Sequence, residues 1–154
     1  MGTPAGDLLQ GVFGPKRLIF KRVSEFTLHE DPEMYSRLAR KPYALVARYA
    51  AEFIQRLRSR LNLHIGDCDL LIDAPPVHRE VEFNIPIYYS RQRLYRRLDE
   101  VSPVVAALAR TQFDDFVKRV RIYAHPRIAQ ELRHVTDFDQ ILADAISAVD
   151  QANP

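Results

Sequence analysis

The sequence predicts an α+β protein whose core follows the split βαβ, or ferredoxin-like, order with additional helices at the C-terminus. Three observations predict it. Four β-prone stretches fall at residues 17–26, 69–74, 79–89 and 117–124. Helical patterns fall between the first and second of them and between the third and fourth, giving the order strand, helix, strand, strand, helix, strand (βαββαβ). Two further helical patterns come after the last strand. The expected organisation is a remnant or flexible segment over 1–16, an α+β lobe over 17–126, and C-terminal helices over 127–154 that pack on the lobe.

Each element has a local reason. Residues 1–16 are rich in Gly and Pro, and Leu8, Leu9, Val12 and Phe13 form a short apolar patch that reads as the last turn of a helix. Residues 17–26 (RLIFKRVSEF) are β-prone with mixed polarity. Asp31-Pro32 suits an N-cap followed by proline at the first helical position. After Pro42, the residues Leu45, Val46, Tyr49, Phe53, Leu57 and Leu61 repeat at helical spacing, and Gly66 marks the exit. Residues 69–74 (DLLIDA) make a continuous apolar run that suits a central strand, closed by Pro75-Pro76. Over 79–89 the apolar residues alternate, with Pro86 placing that strand at an edge or bulge. Residues 91–97 read as a charged connection. Ser102-Pro103 is a helix start, and residues 117–124 (VKRVRIYA) are the last strand. A short helix is expected over 127–134. Thr136 is the expected N-cap of a final helix striped by Phe138, Ile141, Leu142, Ala145, Ile146 and Val149.

Composition excludes several classes. The chain has 154 residues, 47% apolar and 27% charged, an ordinary balance for a single domain. Net charge is only +2, so any attraction for polyanions must be local. The single cysteine, Cys68, sits between Asp67 and Asp69, which disfavours a reactive thiolate and points to a small structural residue. No apolar run approaches the ~20 residues of a membrane span. No basic-then-apolar leader is visible, and Gly6 stands where a myristoylation motif needs Ser or Thr. The expected location is the cytoplasm, with no membrane partner.

No self-sufficient catalytic set is evident. The five histidines are His29, His64, His78, His125 and His134; none is followed directly by Asp, and no two lie three or four apart on one helix. They read as surface or loop residues. Asp73 is the best single carboxylate, and its plain reading is a strand-end cap at the Pro-Pro turn. Asp114 and Asp115 are adjacent, so a helix would aim them roughly 100° apart rather than together. There is no phosphate-binding Gly-x-x-x-x-Gly-Lys loop and no Gly-x-Ser-x-Gly elbow. No catalytic residue, metal ligand or cofactor is assigned to this chain.

The candidates for binding are basic. Arg17, Lys21, Arg22, Lys118, Arg119 and Arg121 cluster on the first and last strands, where arginine forks suit the oxygens of a nucleotide phosphate. The alternative is sheet-surface charge paired with Glu25, Asp99 or Asp114. A second run, Arg91, Arg93, Arg96 and Arg97, reads as a solvated loop or a subunit contact.

Three segments resemble the C-terminal part of the HD-domain deoxynucleoside triphosphate triphosphohydrolases. They are Arg17-Leu18-Ile19-Phe20-Lys21-Arg22-Val23; Asp69-Leu70-Leu71-Ile72-Asp73-Ala74-Pro75-Pro76 running on to Arg79-Glu80-Val81; and Ser102-Pro103-Val104-Val105 through Phe113-Asp114-Asp115-Phe116-Val117-Lys118-Arg119-Val120-Arg121-Ile122-Tyr123. With their connections they span about residues 8 to 135. The resemblance implies an accessory and oligomerisation lobe, with a nucleotide-regulatory role, of an enzyme that cleaves dNTP to deoxynucleoside and triphosphate. It implies an HD catalytic domain or subunit as partner, a homo-oligomer, a dNTP or GTP ligand, and a divalent metal ion held by His and Asp residues of the parent enzyme. This chain lacks that set, so alone it is expected to be inactive. The other reading is a free-standing ferredoxin-like module for a small ligand or RNA. Phe20 and Tyr123 are its aromatic candidates, although the Gly-Phe-rich string of RNA-recognition domains is absent.

Overall fold

A computed structural model of the chain describes residues 3–15, 17–61, 63–76, 85–107 and 118–152. Its first element is α1 (Pro4–Phe13). The Thr3 hydroxyl accepts a hydrogen bond from the Gly6 N–H at 3.2 Å, and Pro4 opens the first turn. At the other end the chain leaves through Gly14, where a Cβ would collide with the Gln10 carbonyl oxygen. The stretch expected to hold only a last turn is therefore a capped helix of ten residues.

Strand β1 (Lys21–Phe26) leads into α2 (Pro32–Leu38), whose Asp31 cap accepts from the Met34 N–H at 3.1 Å. The long helix α3 (Tyr43–Leu61) buries Val46, Tyr49, Phe53 and Leu57 of the predicted stripe together with Ile54, while Leu45 and Leu61 at its ends are half-buried. Strand β2 (Leu70–Asp73) follows, then β3 (Pro86–Tyr89) and β4 (Leu94–Arg97). Two short helices come next, α4 (Leu98–Val101) and α5 (Pro103–Ala107). The expected Ser102 cap is present: its Oγ accepts from the Val105 N–H at 3.4 Å. Strand β5 (Val120–Ala124), α6 (Pro126–Arg133) and α7 (Phe138–Gln151) complete the chain. The last helix starts without a side-chain cap from Thr136; Asp137 takes the N-cap position and pairs with Arg60 of α3.

The class is α+β with C-terminal helices, as the sequence predicts. The sheet order is not the ferredoxin-like one. Among the described residues the main sheet runs β1-β5-β2, antiparallel throughout, so the last strand is central and pairs with both the first and the second. The third predicted strand does not join it through its second half: Pro86–Tyr89 pairs with Leu94–Arg97 in a separate hairpin. The reason is local. A four-residue turn, with Arg93 in the left-handed region at φ 51°, closes this pair at little cost in chain entropy. The residues read as a charged connection thereby supply a strand. Residues 77–84 and 108–117, with His78, Asp114 and Asp115, lie outside the described residues.

Register decides what each face of the main sheet carries. Val120, Ile122 and Ala124 of β5, with Phe26 and Leu70, are buried under the helices. They form one continuous core with Tyr49, Phe53 and Leu57 of α3 and Leu142, Ala145 and Ile146 of α7. Phe53 meets Phe138 edge to face, centroids 5.0 Å apart. α7 is fixed to its neighbours by two further bonds: Tyr49 O–H donates to Asp150 Oδ1 at 2.6 Å, and Arg37 donates to Ser147 Oγ at 2.7 Å.

Candidate functional site

Among the described residues the opposite face of the sheet carries no helix of this core, and two rows of side chains cross it. In one row Arg22 of β1 pairs with Tyr123 of β5, which pairs with Leu71 of β2. In the next, Glu25 pairs with Arg121, which pairs with Asp73. A register shift between Arg22 and Ser24 of β1 keeps both Arg22 and Glu25 on this face. Without that extra residue the period-2 rule would send one of them to the core.

Glu25 is the hub. Its carboxylate accepts from Arg121 Nε at 3.0 Å, from Arg119 Nη1, and from Arg22 Nη1 at 2.5 Å. Burial by itself would raise this carboxyl. The bonds from Arg121, Arg119 and Arg22 outweigh burial and hold it at about 2. The Arg121 guanidinium is pushed up in return, chiefly by its bond to Glu25 and further by the charges of Glu25 and Asp73. Three guanidiniums thus share one carboxylate, and the side chains of Arg22 and Arg119 remain 54% and 44% exposed.

The six basic candidates separate on this map. Arg22, Arg119 and Arg121 come together around Glu25. Lys21 is exposed at the start of β1, and Lys118 is half-buried just before β5. Arg17 stands apart, on the wall of a cleft. Asp73 is exposed at the end of β2, opposite Arg121, where it offsets an arginine as well as ending a strand.

The cleft is a feature that sequence reading missed. It measures about 1100 Å³ and lies between α1, residues 17–20 and the sheet. Its lining is mainly apolar, with Leu8, Val12, Leu18 and Phe20 on one side and Leu71 and Tyr123 on the other. The signal for it was the apolar patch of residues 8–13 without an evident partner: Leu9, Val12 and Phe13 remain exposed in the fold. One end of the cleft is a tight polar corner. The Asp69 carboxylate accepts from the Gly66 N–H at 2.5 Å and from Arg127, which also donates to the His64 carbonyl at 2.6 Å. His125 Nδ1 accepts from the Arg127 N–H at 3.1 Å, and its ring meets Phe20 edge-on. Cys68 lines the same end, half-buried.

Cleft and arginine row are neighbours. Tyr123 and Arg121 lie two residues apart on the same face of β5, about 7 Å. The described residues hold no group of three or more His, Cys, Asp or Glu side chains that could take a metal ion. Among the described residues no helix is long and apolar enough to cross a membrane. No family model, curated protein or solved structure matches the chain.

Proposed function

We propose that this chain is the accessory and oligomerisation lobe of an HD-type dNTP triphosphohydrolase, and that it takes a regulatory dNTP or GTP. The observation that carries the nucleotide part is the adjacency of the Arg22–Arg119–Arg121 cluster to the apolar cleft walled by Tyr123 and Phe20. Guanidinium forks suit phosphate oxygens, and an aromatic-lined cleft suits a base. Glu25 is then a stand-in for the ligand: it keeps the arginines ordered when no phosphate is bound. The resemblance of the three segments to the C-terminal part of that enzyme family supports the parent activity, and the exposed apolar residues of α1 support a subunit or domain contact.

The test is a titration of the purified chain with dGTP and with inorganic triphosphate, followed by calorimetry. Arg119→Glu with Arg121→Glu is expected to abolish binding of both. Glu25→Gln, which frees the arginines, is expected to tighten binding roughly two- to fivefold. A titration in which neither change alters the affinity, or in which the wild-type chain binds neither compound, rejects the reading.

A further inference from the structure

The hairpin of β3 and β4 lies outside the main sheet, and its composition is unlike the rest of the chain. Residues 86–97 hold four arginines and three tyrosines and no acidic residue. The whole chain carries +2, so the four charges of the hairpin leave the remainder at −2. The hairpin is therefore a dense local run of positive charge.

Its two faces differ. On one, Ile87, Tyr89 and Leu94 are half-buried, and the Arg96 guanidinium lies 5.7 Å from the centroid of the Tyr89 ring. On the other, Tyr88 and Tyr95 stand directly opposite each other, ring centroids 4.9 Å apart and planes at 41°. They are 52% and 68% exposed. Arg91 and Arg93 occupy the turn and are exposed. No ion pair among the described residues engages Arg91, Arg93 or Arg96.

A cross-strand tyrosine pair stabilises a hairpin, but it does not call for like charges at both ends of that pair. Arg91, Arg93 and Arg96 have no carboxylate partner among the described residues and repel one another, a cost that a polyanion would offset. We infer that this hairpin binds single-stranded nucleic acid, with Tyr88 and Tyr95 stacking on bases and Arg91 and Arg93 of the turn taking phosphates. A duplex hides its base faces and gives the rings nothing to stack on, whereas an unpaired strand offers both base faces and backbone charge. An acidic peptide would answer the arginines and leave the rings unexplained. The surface is separate from the Glu25 cluster and does not depend on the nucleotide reading.

The experiment is fluorescence anisotropy of labelled oligothymidylate and oligouridylate with the full chain, across a series of salt concentrations. Binding is expected to weaken with a log–log salt slope of about −1.4, as about two phosphate contacts on a single strand would give. Tyr88→Ala with Tyr95→Ala is expected to weaken it at least tenfold, and Tyr88→Phe with Tyr95→Phe, which keeps the rings, to preserve it. Arg91→Glu with Arg93→Glu is expected to abolish it. Arg119→Glu with Arg121→Glu is expected to leave it intact while removing dGTP binding, which separates this surface from the other. Each variant's thermal transition is compared with wild type. The inference is overturned by no binding at low salt, by tyrosine removal without effect, by equal competition from inorganic polyphosphate of the same length, or by a hairpin variant that changes subunit association and not oligonucleotide affinity.

Discussion

At the residue scale the chemistry gathers at Glu25, whose side chain is 17% exposed beneath three more exposed arginines. The carboxyl is held at about 2, below its ordinary 4.5. A depressed carboxyl contributes stability above its unfolded value and loses it as pH falls through the folded one. The contribution is therefore complete above about pH 4.5 and gone near pH 2. Solvent screening of the partners limits it to about 1–2 kcal/mol. Thermal melts of wild type and Glu25→Gln are expected to converge as pH drops from 4.5 to 2, with the variant less stable at neutral pH; parallel curves across that window refute the assignment. Arg22, Arg119 and Arg121 were legible in the sequence as a basic cluster, because charges on two neighbouring strands are visible in the string. Their common partner was visible only as one of three acidic options, since a bulge at Val23 decides which side Glu25 faces.

At the element scale α3 and α7 carry the fold. Both were legible because apolar spacing alone specifies which face of a helix is buried. What joins them was not, because aromatic geometry and a long-range hydrogen bond leave no periodic trace. Phe53 is fully buried and meets Phe138 edge to face. Phe53→Ala is expected to cost about 3–5 kcal/mol in chemical denaturation. Tyr49 bonds to Asp150 across the same interface, and burial, then that bond, push its hydroxyl up to about 12. A tyrosine raised in the folded state loses its contribution as pH climbs from about 10 to 12. Tyr49→Phe is expected to cost about 1 kcal/mol at neutral pH and to flatten the alkaline fall in stability; an unchanged alkaline profile removes Tyr49 as its source. The hairpin of β3 and β4 shows the limit of element reading. The alternation at Pro86–Tyr89 correctly gave a strand, but a period of two says nothing about the neighbour it will choose.

At the scale of the whole molecule one core runs from β1 to the C-terminal helices. Phe26, near the first strand's end, and Ile146, on the last helix, belong to the same buried cluster. The helices after residue 126 are thus part of the core and not an appendage. Deletion of residues 138–154 would expose Tyr49, Phe53 and Leu57 of α3 to water, so the truncated chain is expected to lose its cooperative transition in calorimetry. A truncated chain that still melts sharply would show that β1-β5-β2 and α3 suffice.

The sequence by itself determined the class, the positions of the principal helices and strands, the absence of an evident catalytic string, and the identity of the basic residues. These depend on spacing, turn residues and composition, which act over a few neighbouring positions. The tertiary structure alone decided that β5 is central, that three arginines converge on one carboxylate, that α1 and the sheet enclose a cleft, and that the Arg/Tyr run is a hairpin outside the main sheet. Those features join residues far apart in the chain. Strand pairing and packing are settled by competition over the whole core, and no local pattern records its outcome.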